Sequence, residues 1–179
     1  MKQLIIFFSL VVLILLTSCW PSRIGFKDTG SMDPRWKNFT VKNLELSAPN
    51  APLNYAARLT EDVKIGIQNN TRLKLVPQED ECQLIIEGAI SNYNVSPMAM
   101  QVGDVAAKNR LTVSAEFTIF INVPHVEGEP LQEDKMTVRS TRFVDYNSNQ
   151  DLSVVENQLI EEINKQIVQD VINKLFSNW

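Results

Sequence analysis

The sequence predicts an α+β fold, a two-layer sandwich with two helices packed on one face of a mixed four- to five-stranded sheet. Three observations predict it. Arg110 to Val123 alternates apolar and polar residues almost without a break, the period of a strand with one buried and one wet face. Two other segments, Tyr55 to Asn69 and Ser153 to Phe176, repeat their apolar residues at three and four, the period of an amphipathic helix. The elements run strand, helix, strands, helix, and each helical stripe needs an apolar surface such as the sheet's dry face.

The amino terminus is read as a processed leader. Met1-Lys2-Gln3 is a short cationic start, and Leu4 to Leu16 is apolar apart from Ser9. A helix of about thirteen residues spans only about 20 Å, short of a hydrocarbon core of about 30 Å, so a signal peptide is preferred to a membrane span. The run ends in Leu16-Thr17-Ser18-Cys19, small residues before a cysteine, the order of a bacterial lipobox. Residues 1–18 are therefore expected to be a signal peptide and Cys19 the acylated first residue of the mature chain. Removing 18 of the 179 residues leaves 161, and the loss of Lys2 takes the net charge from −4 to −5. Several acyl chains on one cysteine anchor a protein stably, whereas a single chain does so marginally. No acidic run follows Cys19, and the periplasmic face of the outer membrane is the expected location.

Residues 19–37 are read as a lipidated tether, broken by Pro21, Gly25, Gly30, Ser31 and Pro34, with Trp36 packed on the domain, and residues 38–179 as one domain. Within the domain, Phe39 to Ser47 is a first strand with imperfect alternation, and Ala48-Pro49-Asn50-Ala51-Pro52 ends it. The first helix, Tyr55 to Asn69, buries Ala56, Leu59, Val63 and Ile67, with Asn54 expected as its N-cap. Leu73 to Val76 is a short strand stopped by Pro77, and Leu84 to Val95 is a long one. In Arg110 to Val123, Leu111, Val113, Ala115, Phe117, Ile119 and Ile121 fill one face, with Phe120 the exception on the polar side. Met136 to Val144 is the last strand, fed by the polar connection Pro124 to Asp134. Ser153 and Glu156 read as a capping box opening the final helix. Its stripe is Val155, Leu159, Ile163, Ile167, Val171 and Leu175, widened by Ile160, Val168, Ile172 and Phe176, with Glu161, Glu162, Asn164, Lys165 and Gln169 left for solvent.

Composition is that of an ordinary globular domain, 44% hydrophobic and 21% charged, and a net negative charge gives no general attraction to nucleic acid. Catalytic constellations are missing from the pattern. The one histidine, His125, lies in the loop Pro124-His125-Val126-Glu127-Gly128-Glu129-Pro130 and forms no triad or metal motif by itself. Gln78-Glu79-Asp80-Glu81 reads as a solvated acidic turn, because a calcium loop needs more ligands in order. No phosphate-cradling glycine loop occurs, so no cofactor, no metal and no enzymatic activity are expected. With Cys19 acylated, Cys82 is left a free thiol at the head of Leu84-Ile85-Ile86, buried as a small hydrophobe; a Cys19–Cys82 disulfide in an unlipidated protein is the other reading. The polar sheet face is rich in Thr, Ser and Asn, and Arg110, Arg139 and Arg142 add positive charge whose side the alternation does not fix. Such a face is either plainly solvated or a surface for docking to a protein or a phosphorylated lipid head.

Several segments together resemble the lipopolysaccharide-assembly lipoprotein LptE family in its Bacteroidetes form. They are Gly88-Ala89-Ile90-Ser91-Asn92-Tyr93-Asn94-Val95-Ser96-Pro97, then Ala106-Ala107-Lys108-Asn109-Arg110-Leu111-Thr112-Val113, Arg142-Phe143-Val144-Asp145-Tyr146, Gln150-Asp151-Leu152-Ser153 and the closing helix to Trp179. The likeness covers the lipobox and Ala48 to the end; the segment from Trp20 to Lys37 matches poorly. It implies an outer-membrane lipoprotein that plugs an LptD-type β-barrel and helps it insert lipopolysaccharide into the outer leaflet. Under that resemblance Arg110, Arg139 and Arg142 are candidate contacts to lipid A phosphates or the barrel. The alternative is a lipid-anchored periplasmic carrier or chaperone for a lipid, and an envelope hydrolase is disfavoured by the missing nucleophile–base pair.

Overall fold

A computed structural model describes residues 32–98, 107–124 and 134–177. The signal segment, Cys19, Trp20, His125 and Trp179 lie outside the described residues. The chain order is β1 (Asn38–Val41), β2 (Glu45–Leu46), α1 (Tyr55–Asn70), β3 (Lys74–Leu75), β4 (Leu84–Met98), β5 (Lys108–Ile121), β6 (Lys135–Asn147) and α2 (Leu152–Phe176). The six strands form one sheet in the order β3-β1-β4-β5-β6, with β2 also on β4. The short strands pair in parallel and the three long ones antiparallel, so the sheet is mixed as expected. Both helices cover the same face, α1 over the β1–β3 side and α2 over β5 and β6.

The stretch expected as one strand from Phe39 to Ser47 is two. Val41 faces Ile86 and Glu45 faces Ala89, so four steps on one strand match three on β4. The extra residue is absorbed at Leu44, whose amide donates to the Thr60 hydroxyl on α1 (3.1 Å) rather than to the ladder. Leu44 is thereby turned into the core. A second irregularity lies on β4 itself, where the register shifts between Ile90 and Asn92. That bulge lets Ile90 and Tyr93, three apart, both face inward.

The core is continuous between sheet and helices. Phe39, Leu84, Ile86, Leu111, Phe117 and Ile119 from the sheet meet Leu59, Ile67, Ile163 and Val171 from the helices, all without solvent exposure. Each such side chain contributes about 1.5–3 kcal/mol by leaving water. Trp36 (0% exposed) and Met32, from the last part of the expected tether, belong to this core. Cys82 is a buried free thiol that donates to the Gln78 carbonyl oxygen (3.1 Å), and burial pushes its pKa up.

Both expected helix starts need correction. Asn54 occupies the N-cap of α1 but in a helical conformation, with no side-chain bond to a backbone amide. The chain closes that turn through Tyr55 N–H to the Pro52 carbonyl instead. For α2 the cap is Asp151, not Ser153. Its carboxylate accepts from both the Ser153 amide and the Ser153 hydroxyl at 2.9 Å, and those bonds hold its pKa below the usual range. Glu156 does not reach back to the cap; it accepts the Tyr93 hydroxyl of β4 at 2.6 Å. The third correction is Asn164, expected in solvent and in fact buried between the helices.

Candidate functional site

Among the described residues no helix packs on the outer side of the three long strands, which present one broad face there. Register places its side chains in rows across β4, β5 and β6: Glu87–Thr118–Thr137, Ala89–Glu116–Arg139, Asn92–Ser114–Thr141, Asn94–Thr112–Phe143 and Ser96–Arg110–Asp145. The first row's outer neighbour is Ile85–Phe120–Lys135. Small hydroxyl and amide groups fill the middle, where the Ser114 and Thr141 hydroxyls lie 3.0 Å apart. Two aromatic rings stand out near the ends, Phe120 at 38% and Phe143 at 48% exposure. Aromatic side chains are enriched at protein contact surfaces.

Arg110 and Arg139 lie on this face. The Arg110 guanidinium binds the Asp145 carboxylate through Nε (2.6 Å) and Nη2 (2.9 Å) and stacks 3.7 Å over the Phe143 ring. The fork and the ring fix its plane, and the pairing lowers the Asp145 pKa while raising that of Arg110. Arg139, strongly exposed, donates to Glu116 at 3.0 Å. Both cations are thus partnered by carboxylates on the neighbouring strand, so the face is locally neutral.

Arg142 lies on the other side of the sheet. Together with the Ser140 hydroxyl (2.5 Å) its Nε (2.8 Å) and Nη2 bind Asp170 of α2, tying β6 to the helix. Burial pushes the Asp170 carboxyl up, but the bonds from Arg142 and Ser140 outweigh it and hold the pKa below the ordinary value. A depressed carboxylate stabilises the fold at pH above its unfolded pKa near 4, and that contribution is lost as pH falls through the folded value. Asp170→Asn is therefore expected to cost on the order of 1 kcal/mol at pH 7, Arg142 being partly solvated. Urea titrations should show the gap to the parent closing below about pH 4; a gap independent of pH would mean packing, not charge, is lost.

A second feature was not legible in the sequence. Trp36, Lys37, Asn38, Arg72, Lys74 and Gln83 line a hollow of about 350 Å³ where the chain enters from its amino-terminal segment. Lys37 and Lys74 meet there because β1 and β3 pair in parallel, Asn38 opposite Lys74. Arg72 donates to the Met32 and Asp33 carbonyl oxygens. Among the described residues none of these three cations has a carboxylate within 4 Å. The acidic turn is a single 3-10 turn, Glu79–Glu81, in which Glu79 pairs with Lys42 at 3.1 Å. Among the described residues no three His, Cys, Asp or Glu side chains converge on one point, and no helix is long and apolar enough to cross a membrane.

A family model described as LptE, lipopolysaccharide-assembly, matches residues 41–175. No curated protein matches the chain. Among solved structures, a crystal structure of a Xanthomonas campestris protein is similar at a TM-score of 0.53 and 7% identity, over 87% of this chain and 92% of the other. The solution structure of lipoprotein B from Nitrosomonas europaea is similar at 0.47 and 19% identity, over 86% and 92%. A lipoprotein from Neisseria meningitidis is similar at 0.39 and 12% identity, over 74% and 99%. At these identities the likeness concerns the fold alone.

Proposed function

The chain belongs to the LptE family of lipopolysaccharide-assembly proteins, and from that premise we propose that it is an acyl-anchored outer-membrane component that docks into an LptD-type β-barrel and assists lipopolysaccharide insertion. The observation that carries this reading is the uncovered polar face of β4, β5 and β6. The lumen of a large membrane barrel is polar. A face of small hydroxyls, two paired arginines and two projecting rings suits such a wall, because Arg110 and Arg139 already hold carboxylates and need not be stripped of water unpaired. Arg110 and Arg139 are its contacts to the barrel or to lipid A phosphates. Arg142, held by Asp170, acts through the position of β6.

The basic hollow around Lys37, Arg72 and Lys74 suits the anchored part of this reading. It lies at the entry of the segment that leads back to Cys19, and each cation near an anionic lipid surface contributes about 1 kcal/mol of attraction. Tethering through acylated Cys19 would then confine the domain to a surface and raise its effective concentration beside the barrel. The role is one of contact, with no bond made or broken. The carrier reading needs an open apolar pocket between helices and sheet, and that space holds Phe39, Leu59, Ile86, Phe117 and Ile163, none of them exposed.

Affinity capture from detergent-solubilised envelopes tests the proposal. A barrel of LptD type is expected in near-equal amount, with the captured chain beginning at Cys19 and carrying fatty acid by intact mass. Arg110→Gln combined with Arg139→Gln should reduce barrel recovery at least tenfold while leaving the chain folded by thermal unfolding, as partly exposed pairs contribute about 0–1 kcal/mol each. Capture of the intact lipoprotein with no barrel would defeat the reading.

A further inference from the structure

The two edges of the sheet differ greatly. One is β3, two residues long; the other is β6, thirteen residues long, with no proline and no break in its register to β5. The Ile121 amide donates to the Asp134 carbonyl oxygen (2.8 Å), and the Ser148 amide to that of Ala107 (3.1 Å). These two bonds fix the phase of the ladder: even-numbered residues turn their backbone groups to β5, and odd-numbered ones turn theirs outward. The amides and carbonyls of Thr137, Arg139, Thr141 and Phe143 therefore form a free row, and among the described residues no backbone group pairs with them. Long open edges of this kind are normally shortened, bulged or covered, because they template strand addition. Beside this row, between β6 and the carboxyl-terminal half of α2, runs a groove of about 550 Å³, which gives room to side chains of an added strand on the helix side.

We propose that the free edge of β6 receives one extended, net-acidic segment of a partner protein as a seventh strand. Main-chain bonds to the odd-numbered residues would supply affinity and the charge of the flanks would supply selection. Lys174 of α2 lines the groove and Lys135 opens the strand; neither has a carboxylate within 4 Å among the described residues. A second copy of this chain fits less well, because its β6 would bring a second Lys135 to the seam and, as its one acid, Asp145, which Arg110 already holds. The inference goes beyond the barrel reading, and its test needs no barrel.

Hydrogen exchange of the purified full chain in detergent, followed residue by residue by NMR, tests it. The probes are a decapeptide alternating valine with threonine and glutamate, and its counterpart with lysine in place of glutamate. At millimolar concentration the acidic peptide should slow exchange at Arg139, Thr141 and Phe143 at least tenfold, and the lysine peptide should not. Thr141→Pro removes an outward amide, where proline is tolerated, together with the hydroxyl beside Ser114, and should abolish the slowing while the amides facing β5 stay protected; Thr141→Val, which loses the hydroxyl alone, should keep it. Lys135→Glu with Lys174→Glu, which spares the backbone, should invert the peptide preference. The proposal is overturned by no slowing, by equal slowing with both peptides, or by outward amides already protected in the free monomer, which would mean the chain covers its own edge. Protection that rises with protein concentration would overturn it in favour of a second copy.

Discussion

Replacing Asn164 by alanine is expected to lower the unfolding free energy by about 2–4 kcal/mol, with the slope of the urea transition unchanged. Asn164 sits on α2 with 1% of its surface exposed. Its carbonyl oxygen accepts the Tyr55 hydroxyl of α1 at 2.8 Å, and its amide donates to the Asp62 carboxylate at 2.6 Å. Truncation strands the Tyr55 hydroxyl away from the surface, and that tyrosine, buried and edge-on to Tyr93 at 5.8 Å, has little freedom to turn away. A cavity is added on top. The same environment makes Tyr55 hard to ionise: burial, then the nearby Asp62 charge, pushes its pKa far upward. The decisive comparison is a cycle with Tyr55→Phe. Because removing both partners is cheaper than orphaning one, Asn164→Leu with Tyr55→Phe should be more stable than Asn164→Leu alone, by about 1 kcal/mol or more. Strictly additive losses would show that the two groups do not depend on each other.

Asn164 also shows where the sequence could be read and where it could not. The apolar stripe of α2 was legible, and Ile160, Val168 and Ile172 widened it at intervals of four; residue 164 completes that row. Assigning it to solvent by residue type rather than by position hid it. The strand β5 was legible, with its ends displaced by two residues, because one unbroken alternation runs from Leu111 to Ile119, whose apolar members are all buried. The side taken by Arg142 was not, because β6 carries polar residues at two adjacent inward positions, Ser140 and Arg142. What satisfies them, Asp170, comes from the helix that packs above, so only tertiary structure could reveal it. The cap of α2 was misplaced for a local reason: two oxygen-bearing residues, Asp151 and Ser153, competed for one helix start, and the charged one took it. Of the candidate site, the polar face of β5 could be read from alternation. The rows across it, the meeting of Lys37 with Lys74 and the open edge of β6 depend on strand order, which a periodicity does not contain.

Gly88→Val is expected to be the most damaging single change on the sheet, and to leave the chain mostly insoluble or unfolded. A Cβ at position 88 would lie 2.6 Å from the Glu116 carbonyl oxygen, 2.9 Å from the Phe117 ring and 3.0 Å from Leu44. Overpacking a core typically costs about 1–3 kcal/mol, and that is the expectation for Gly88→Ala. Valine adds two further methyls against Phe117, which has no exposed surface and no space to retreat into. The first of the three contacts decides the outcome, because it is backbone. Relief there requires β4 and β5 to part at the paired residues Gly88 and Phe117, inside the ladder that joins the two strands. Shrinking the neighbour with Phe117→Leu should therefore recover less than half of the loss from Gly88→Ala, as read by urea unfolding; full recovery would mean that the ring alone sets the limit. The adjoining row, Ala89–Glu116–Arg139, lies on the outer face. On the proposed docking, a Gly88→Ala chain that still folds should then recover less barrel than its stability loss explains, since the strands that carry the proposed face would no longer keep their spacing.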